Sequence, residues 1–205
     1  MQTTALTSDQ LDTLREVANI GAGHAATALS HMTGRHIRMS IPLVVGLPTD
    51  QLPASVAEGD GGRIVAVRTH IRGDLAGDTV LTLSAANARR LCDALLFRTT
   101  PDGDQFDDLE RSTIMETGNI LAGAYLNALA ALLHLVLLPS VPELLVASME
   151  GYAASWRRRT NGLALCAATE FAIPEESGDV VLRGTLLHLP DVASLRTILD
   201  TLAVR

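Results

Sequence analysis

The sequence predicts an α+β protein made of two similar halves, with two long helices packed on a shared mixed or antiparallel β-sheet about a pseudo-two-fold axis. Three observations carry this. First, the chain matches itself at an offset of 100: Ile20, Ala22, Gly23, Ala28 and Leu29 fall on Ile120, Ala122, Gly123, Ala128 and Leu129, while Glu16, Asn19 and Pro42 fall on Glu116, Asn119 and Pro142. A period this long is no solenoid repeat and reads as one duplication. Second, apolar residues recur at helical spacing from Leu11 to Leu29 and again from Ile114 to Leu129. Third, short apolar runs are interleaved with helical segments, the order expected of helices lying on a sheet. The acidic, Gly-containing stretch Thr99–Gln105 is the natural junction. It divides a single domain, residues 1–205, into repeats of about 6–98 and 104–203. Each half has few strands, so the two are expected to share one sheet and one core.

The elements follow in order. Thr7 is placed to N-cap the first helix, Gln10 completes a capping box, and Leu6 with Leu11 forms a hydrophobic staple. Gly34 is the expected C-cap. Strands are expected near His36–Val45, Arg63–Ile71 and Thr79–Leu83, with Ser84 capping a helix that ends near Leu96. In the second half a long helix starts after Asp104. Strands follow near His134–Leu138, Leu163–Phe171 and Val180–Leu189, and Asp191 caps a last helix ending near Leu202.

Composition excludes several functions. Of 205 residues 47% are hydrophobic, enough for a substantial core. With 16 basic and 23 acidic residues the net charge is −7, which gives no long-range attraction to nucleic acid or anionic lipid. Every basic residue is Arg. A phosphate-loop Lys, a Schiff-base Lys and a Ser–Lys dyad are therefore absent. Cys92 and Cys166 show neither metal-ligand spacing nor a disulfide framework and read as small buried hydrophobes. With no secretory signal pattern, the expectation is a reduced, cytoplasmic protein. Residues 117–142 carry no Asp, Glu, Lys or Arg and are long enough to span a bilayer. Asn119, Asn127, His134 and Pro139 interrupt them and no basic flank is present, so they read as a core helix running into a buried strand, not a membrane span.

The first long helix carries the informative pattern. Asp12, Glu16, Asn19 and Gly23 fall within about 60° of one another around the helix, opposite Leu14, Val17, Ala18, Ala25 and Leu29. In the second half Ser112, Glu116, Asn119 and Gly123 take the same angles, opposite Ile114, Leu121, Tyr125 and Leu129. A polar face alone is ordinary. Asn and Gly in an exposed helix interior each cost roughly 0.5–1 kcal/mol against Ala, and a helix built for stability would not place them together twice. The spacing Asp/Ser–x3–Glu–x2–Asn–x22–Pro is intact in both halves.

With its surroundings, LREVANIGAGHAATALSHMTGR and METGNILAGAYLNALAALL, this pattern resembles the CheC family of bacterial and archaeal chemotaxis. The resemblance runs from about Leu6 to Leu202 and includes LLHLPDVASL. It implies a phosphatase acting on the aspartyl phosphate of the response regulator CheY. No cofactor would be the chain's own, and Mg²⁺ would be held in the partner's acidic pocket. Glu16 and Glu116 would pair with the partner's active-site Lys. Asn19 and Asn119 would reach into the pocket and orient the attacking water, a task suited to a side chain that both donates and accepts. Gly23 and Gly123 would leave room for the partner's loops. Asp12 and Ser112 belong to the motif without an assigned step, and Pro42 and Pro142 shape the following strand. His24 departs from the family, which has a small polar residue there; it lies one step off the stripe. A different class of reading is a binding module, either a non-enzymatic sink for phosphorylated CheY or a regulator acting through the deamidase CheD. Two intact Glu–Asn pairs favour the enzyme.

Other motifs weigh less. Gly21–Ala26 matches a dinucleotide fingerprint, but a capped amphipathic helix stands where a strand is required, and the second half has Leu121 in place of the first Gly. His24, His31, His36, His70, His134 and His188 have no metal spacing. Arg157–Arg159 after Trp156 reads as a solvated loop face.

Overall fold

The computed structural model describes residues 7–41, 43–48, 63–99, 105–148, 151, 163–174 and 180–203. The elements run α1 (Ser8–Thr33), β1 (Arg38–Met39), β2 (Leu43–Pro48), β3 (Ile64–Gly73), β4 (Gly77–Ser84), α2 (Ala85–Leu96), α3 (Asp108–Leu133), β5 (Leu137–Pro139), β6 (Glu143–Ala147), β7 (Leu163–Pro174), β8 (Val180–Pro190) and α4 (Val192–Ala203).

Both long helices open on a capping box. Thr7 Oγ1 accepts from the Gln10 amide at 3.2 Å, and Gln10 Oε1 accepts from the Thr7 amide at 2.9 Å. Asp107 and Glu110 exchange the same two bonds at 2.8 Å each. The helix expected after Asp104 begins at Asp108, where Asp107 stands as cap three residues before a Glu that reaches back. The Leu6 partner of the expected staple lies outside the described residues. Gly34 ends α1 at φ 64° as expected. In α3 the same left-handed position is taken by His134 at φ 55°. That cap ends the helix at Leu133 and delays β5 to Leu137, later than the strand expected from His134. Ser84 caps α2 through the Asn87 amide, and Asp191 Oδ1 accepts from the Ser194 amide at 2.7 Å ahead of α4.

The expected strand His36–Val45 is two pieces, parted at Ser40. Strand β6 had no range in the sequence expectations beyond the strand that Pro142 was expected to shape; it lies at the margin of the sheet, on β3. The eight strands form one sheet of order β1-β7-β8-β4-β3-β5, with β2 also on β7 and β6 also on β3. Every described pairing is antiparallel, which settles the mixed-or-antiparallel expectation. Exchanging β1–β4 with β5–β8 returns the same order read backwards. The first strands of each half pair with the other half, and β4 meets β8 at the centre, so neither half completes a sheet alone.

The helices run antiparallel. Leu14, early in α1, shares a core cluster with Leu133 at the end of α3, and Gly21 lies against Tyr125 and Leu129. Leu29, Ile114, Leu121 and Leu129 pack with Val67, Leu81 and Leu186 of the sheet and with Leu91 and Cys92 of α2 in one core. Ile198 of α4 packs beside Leu14. Among the described residues no helix is long and apolar enough to cross a membrane.

Candidate functional site

The core packing decides which side of each long helix faces outward. Leu14, Val17, Ala18, Ala25 and Leu29 are buried on α1, as are Ile114, Leu121, Tyr125 and Leu129 on α3. The opposite stripes are left to solvent. Asp12, Glu16 and Asn19 are exposed; so are Ser112 and Glu116, and Asn119 is half-buried. Because α1 and α3 are antiparallel neighbours, the two Glu–Asn stripes run in opposite directions over the same sheet. Each is followed one turn later by a glycine beside open space: a Cβ on Gly23 or on Gly123 would meet no atom within 4 Å.

The supporting positions divide. Asp12 Oδ1 accepts from Arg15 Nη1 at 2.8 Å, an exposed pair within its own helix. Pro142 is half-buried in the link between β5 and β6, just before Glu143, which pairs with Arg68 of β3. Pro42 lies outside the described residues, as do Trp156 and Arg157–Arg159.

Gly21 shows why the dinucleotide-like run exists. It sits inside α1, where a Cβ would stand 2.6 Å from Cε2 of Tyr125 and 2.8 Å from Cδ1 of Leu129. The residue is small so that α3 can approach, not so that phosphate can. A cavity of about 10 Å³ between α1 and β7, lined by Ala22, Ala26, Met39 and Phe171, is the size of a water molecule and no substrate pocket. The candidate site is an open helical face.

Sequence reasoning missed the charged group at the foot of α3. Glu110, 2% exposed, meets Arg89 of α2 at 2.6 Å and Arg98 at 3.3 Å. Arg89 also donates to the Gln105 carbonyl at 2.6 Å and lies 4.7 Å over the Phe106 ring. The amide of Glu110, with Arg98 at 2.8 Å, holds the Asp107 carboxyl below the usual carboxylate range. The capping box was the visible half of this group; a buried Arg arriving from another helix leaves no local signal.

The remaining titratable groups lie off the stripes, His24 one step from Gly23. Burial, with Glu110 nearby, pushes the Cys92 thiol up to about 12, so it is no nucleophile at neutral pH. The Cys166 side chain lies outside the described ones. His24, His31, His36 and His134 are exposed, and His70 Nδ1 lies 3.1 Å from Asp78. His188 is buried against Tyr125 with ring centroids 5.3 Å apart. Among the described residues no group of three or more His, Cys, Asp or Glu is gathered as a metal site.

An exchange-symmetric antiparallel sheet, with two antiparallel helices each turning a Glu–x2–Asn–x3–Gly stripe to solvent, defines a class of helix-on-sheet protein whose site is a surface and not a cleft. The sequence profile of the CheC-like family matches residues 10–45 and 109–146, the two stripe helices and the edge strands after them. It is 37% identical over 137 residues to the CheY-P phosphatase CheC of Bacillus subtilis; the match covers 66% of this chain and 65% of that protein's length. FliY of Thermotoga maritima has the same fold, with a TM-score of 0.74 and 20% identity, covering 98% of this chain and 99% of that one. A second solved neighbour is the CheX–CheY–BeF3–Mg²⁺ complex from Borrelia burgdorferi, with a TM-score of 0.55 and 18% identity, covering 88% and 99%.

Proposed function

We propose that this chain is a protein phosphatase that hydrolyses the aspartyl phosphate of a CheY-type response regulator, with Glu16 and Asn19 forming one site and Glu116 and Asn119 the other. The observation that carries the reading is the repeated outward stripe. In both halves a carboxylate, an amide three residues on and a glycine with nothing beside it face solvent on one side of a helix whose other side is core. The name of the Bacillus relative supports the substrate.

An open face needs a partner that brings the reacting group with it. As the family resemblance implies, Mg²⁺ would be held in the partner's own acidic pocket, where it would neutralise phosphoryl charge. Glu16 or Glu116 pairs with a cation beside that pocket and fixes the approach. Asn19 or Asn119 reaches in; its carbonyl accepts from water while its amide donates to a phosphoryl oxygen. Water attacks phosphorus in line, the P–O bond to the aspartyl carboxylate breaks, and the carboxylate leaves as the water proton passes to phosphate or solvent. Placement, more than a strong base, is what such a transfer asks of the protein. The chain works as one unit of two repeats in the cytoplasm, where such a partner is found.

Phosphate release from phosphorylated CheY with and without the chain tests the reading. Stimulated release that disappears in the Asn19→Ala, Asn119→Ala double variant is the expected result. Binding without stimulated release would favour the sink, and stimulation that needs CheD would favour the regulator.

A further inference from the structure

Ser40–Ile41–Pro42 and Ser140–Val141–Pro142 occupy the same place in the two halves. Each serine is tied by two hydrogen bonds to a strand of the other half. The Ser40 amide donates to the Glu170 carbonyl at 3.0 Å, and the Glu170 amide donates to Ser40 Oγ at 3.1 Å. The Ser140 amide donates to the His70 carbonyl at 2.8 Å, and the His70 amide donates to Ser140 Oγ at 3.0 Å. In both, a hydroxyl replaces the backbone carbonyl in the ladder, so the chain leaves the sheet without stranding a donor. The next side chain is turned outward: Ile41 and Val141 are each 84% exposed.

Single exposed apolar residues need no explanation. Two β-branched residues raised by the same serine clamp at matched positions do. Leaving such a side chain in water forgoes the burial that drives folding and association. Their location bears on the stripes. α1 packs against β1 and β2, and α3 against β5 and β6, so each exposed residue borders a stripe helix. Met39 lines the small cavity with Ala22 and Ala26. The chain has reversed after Gly34, so Ile41, two residues beyond Met39, lies toward the earlier turns of α1, the side on which Asn19 stands. A net charge of −7 gives no long-range pull toward a partner whose own pocket is acidic, so apolar contact would add to the grip of the local Glu pair.

We infer that Ile41 and Val141 are docking contacts for the same phosphorylated protein that the adjacent Glu–Asn pairs act on, meeting apolar residues on the rim of its phosphorylation pocket. This rests on the proposed function. The test is steady-state phosphate release from phosphorylated CheY by Ile41→Ser in an Asn119→Ala background and Val141→Ser in an Asn19→Ala background, with thermal melts. Each serine variant should raise KM about ten-fold, the range of a rim-to-core apolar contact, with kcat and Tm unchanged. Phe97→Ser, at a residue 94% exposed on the far end of α2, should leave KM unaltered. Unchanged KM in both serine variants overturns the inference while the phosphatase reading stands, provided the paired Asn variants still lose kcat. A fall in Tm instead makes these residues structural and overturns it too. If the unaltered chain releases no phosphate, the phosphatase reading fails first and takes this inference with it.

Discussion

Arg89 and Glu110 form an ion pair of 2.6 Å that joins α2 to the first turn of α3, with the carboxylate 2% exposed. Glu110 also closes the capping box through the Asp107 amide, so one side chain fixes both the start and the seat of the helix that carries Glu116 and Asn119. Glu110→Ala would leave Arg89 buried without its carboxylate and should cost about 3–5 kcal/mol in urea unfolding. Arg89→Met with Glu110→Leu should recover most of that loss, because removing both charges removes the uncompensated one. A single-variant loss under about 1 kcal/mol would mean the pair is solvated.

Gly21 and Gly23 stand two residues apart and should respond oppositely to Ala. At Gly21 the new Cβ would overlap Tyr125 and Leu129, so Gly21→Ala should destabilise by about 1–3 kcal/mol despite better helix propensity. At Gly23 nothing lies within 4 Å, and Gly23→Ala should stabilise by up to about 1 kcal/mol while impeding the partner's approach. Thermal melts alongside phosphate release separate the two. Equal stability changes would contradict the packing of α1 on α3.

The contrast between these glycines shows what the sequence could and could not tell. The stripe of Asp12, Glu16, Asn19 and Gly23 was legible because helical periodicity turns spacing into a face, and the offset of 100 supplied a second copy to check it. Caps at Thr7, Gly34 and Ser84 were legible because their bonds are local. What failed was non-local. The Arg89–Glu110 contact spans two helices, and the extent of β6 is fixed by its pairing with β3, far off in sequence. His134 as a left-handed cap was missed because propensity assigns that position to Gly or Asn.

His188 should make the fold acid-sensitive. Burial lowers its pKa from 6.5 to about 4, and among the described residues neither ring nitrogen has a hydrogen-bond partner. The folded state therefore keeps the ring neutral while the unfolded chain takes up a proton below about 6.5. Stability from this group is full above that pH, falls as pH drops toward 4, and levels off below it. The loss is on the order of 3 kcal/mol. His188→Leu, matching the apolar Leu186 on the same face, should flatten unfolding free energy between pH 6.5 and 4. An unchanged slope would assign the acid sensitivity to other groups.

Within each site the carboxylate and the amide should fail in different ways. On the proposed mechanism Glu116 acts in association, where an interfacial charge pair contributes on the order of 1–3 kcal/mol, so Glu116→Ala should weaken apparent affinity about 5- to 150-fold with kcat little changed. On the same mechanism Asn119 orients the water in line with the breaking bond, and its loss should lower kcat about 10²-fold with KM little changed. The amide should not be held for stability. Asn lies on the solvent side of a helix, and Asn119→Ala should raise stability by up to about 0.7 kcal/mol through propensity alone. A variant that melts later yet hydrolyses a hundred-fold more slowly would mark the side chain as kept for chemistry. Glu16 and Asn19 should behave alike, so each site is measured with the other Asn replaced. Asn119 is half-buried where Asn19 is exposed, and that difference makes Asn119→Ala the variant with the smaller gain in stability. Wild-type hydrolysis by the Asn19→Ala, Asn119→Ala variant would show that neither amide orients water, and the stripes would then be binding surfaces only.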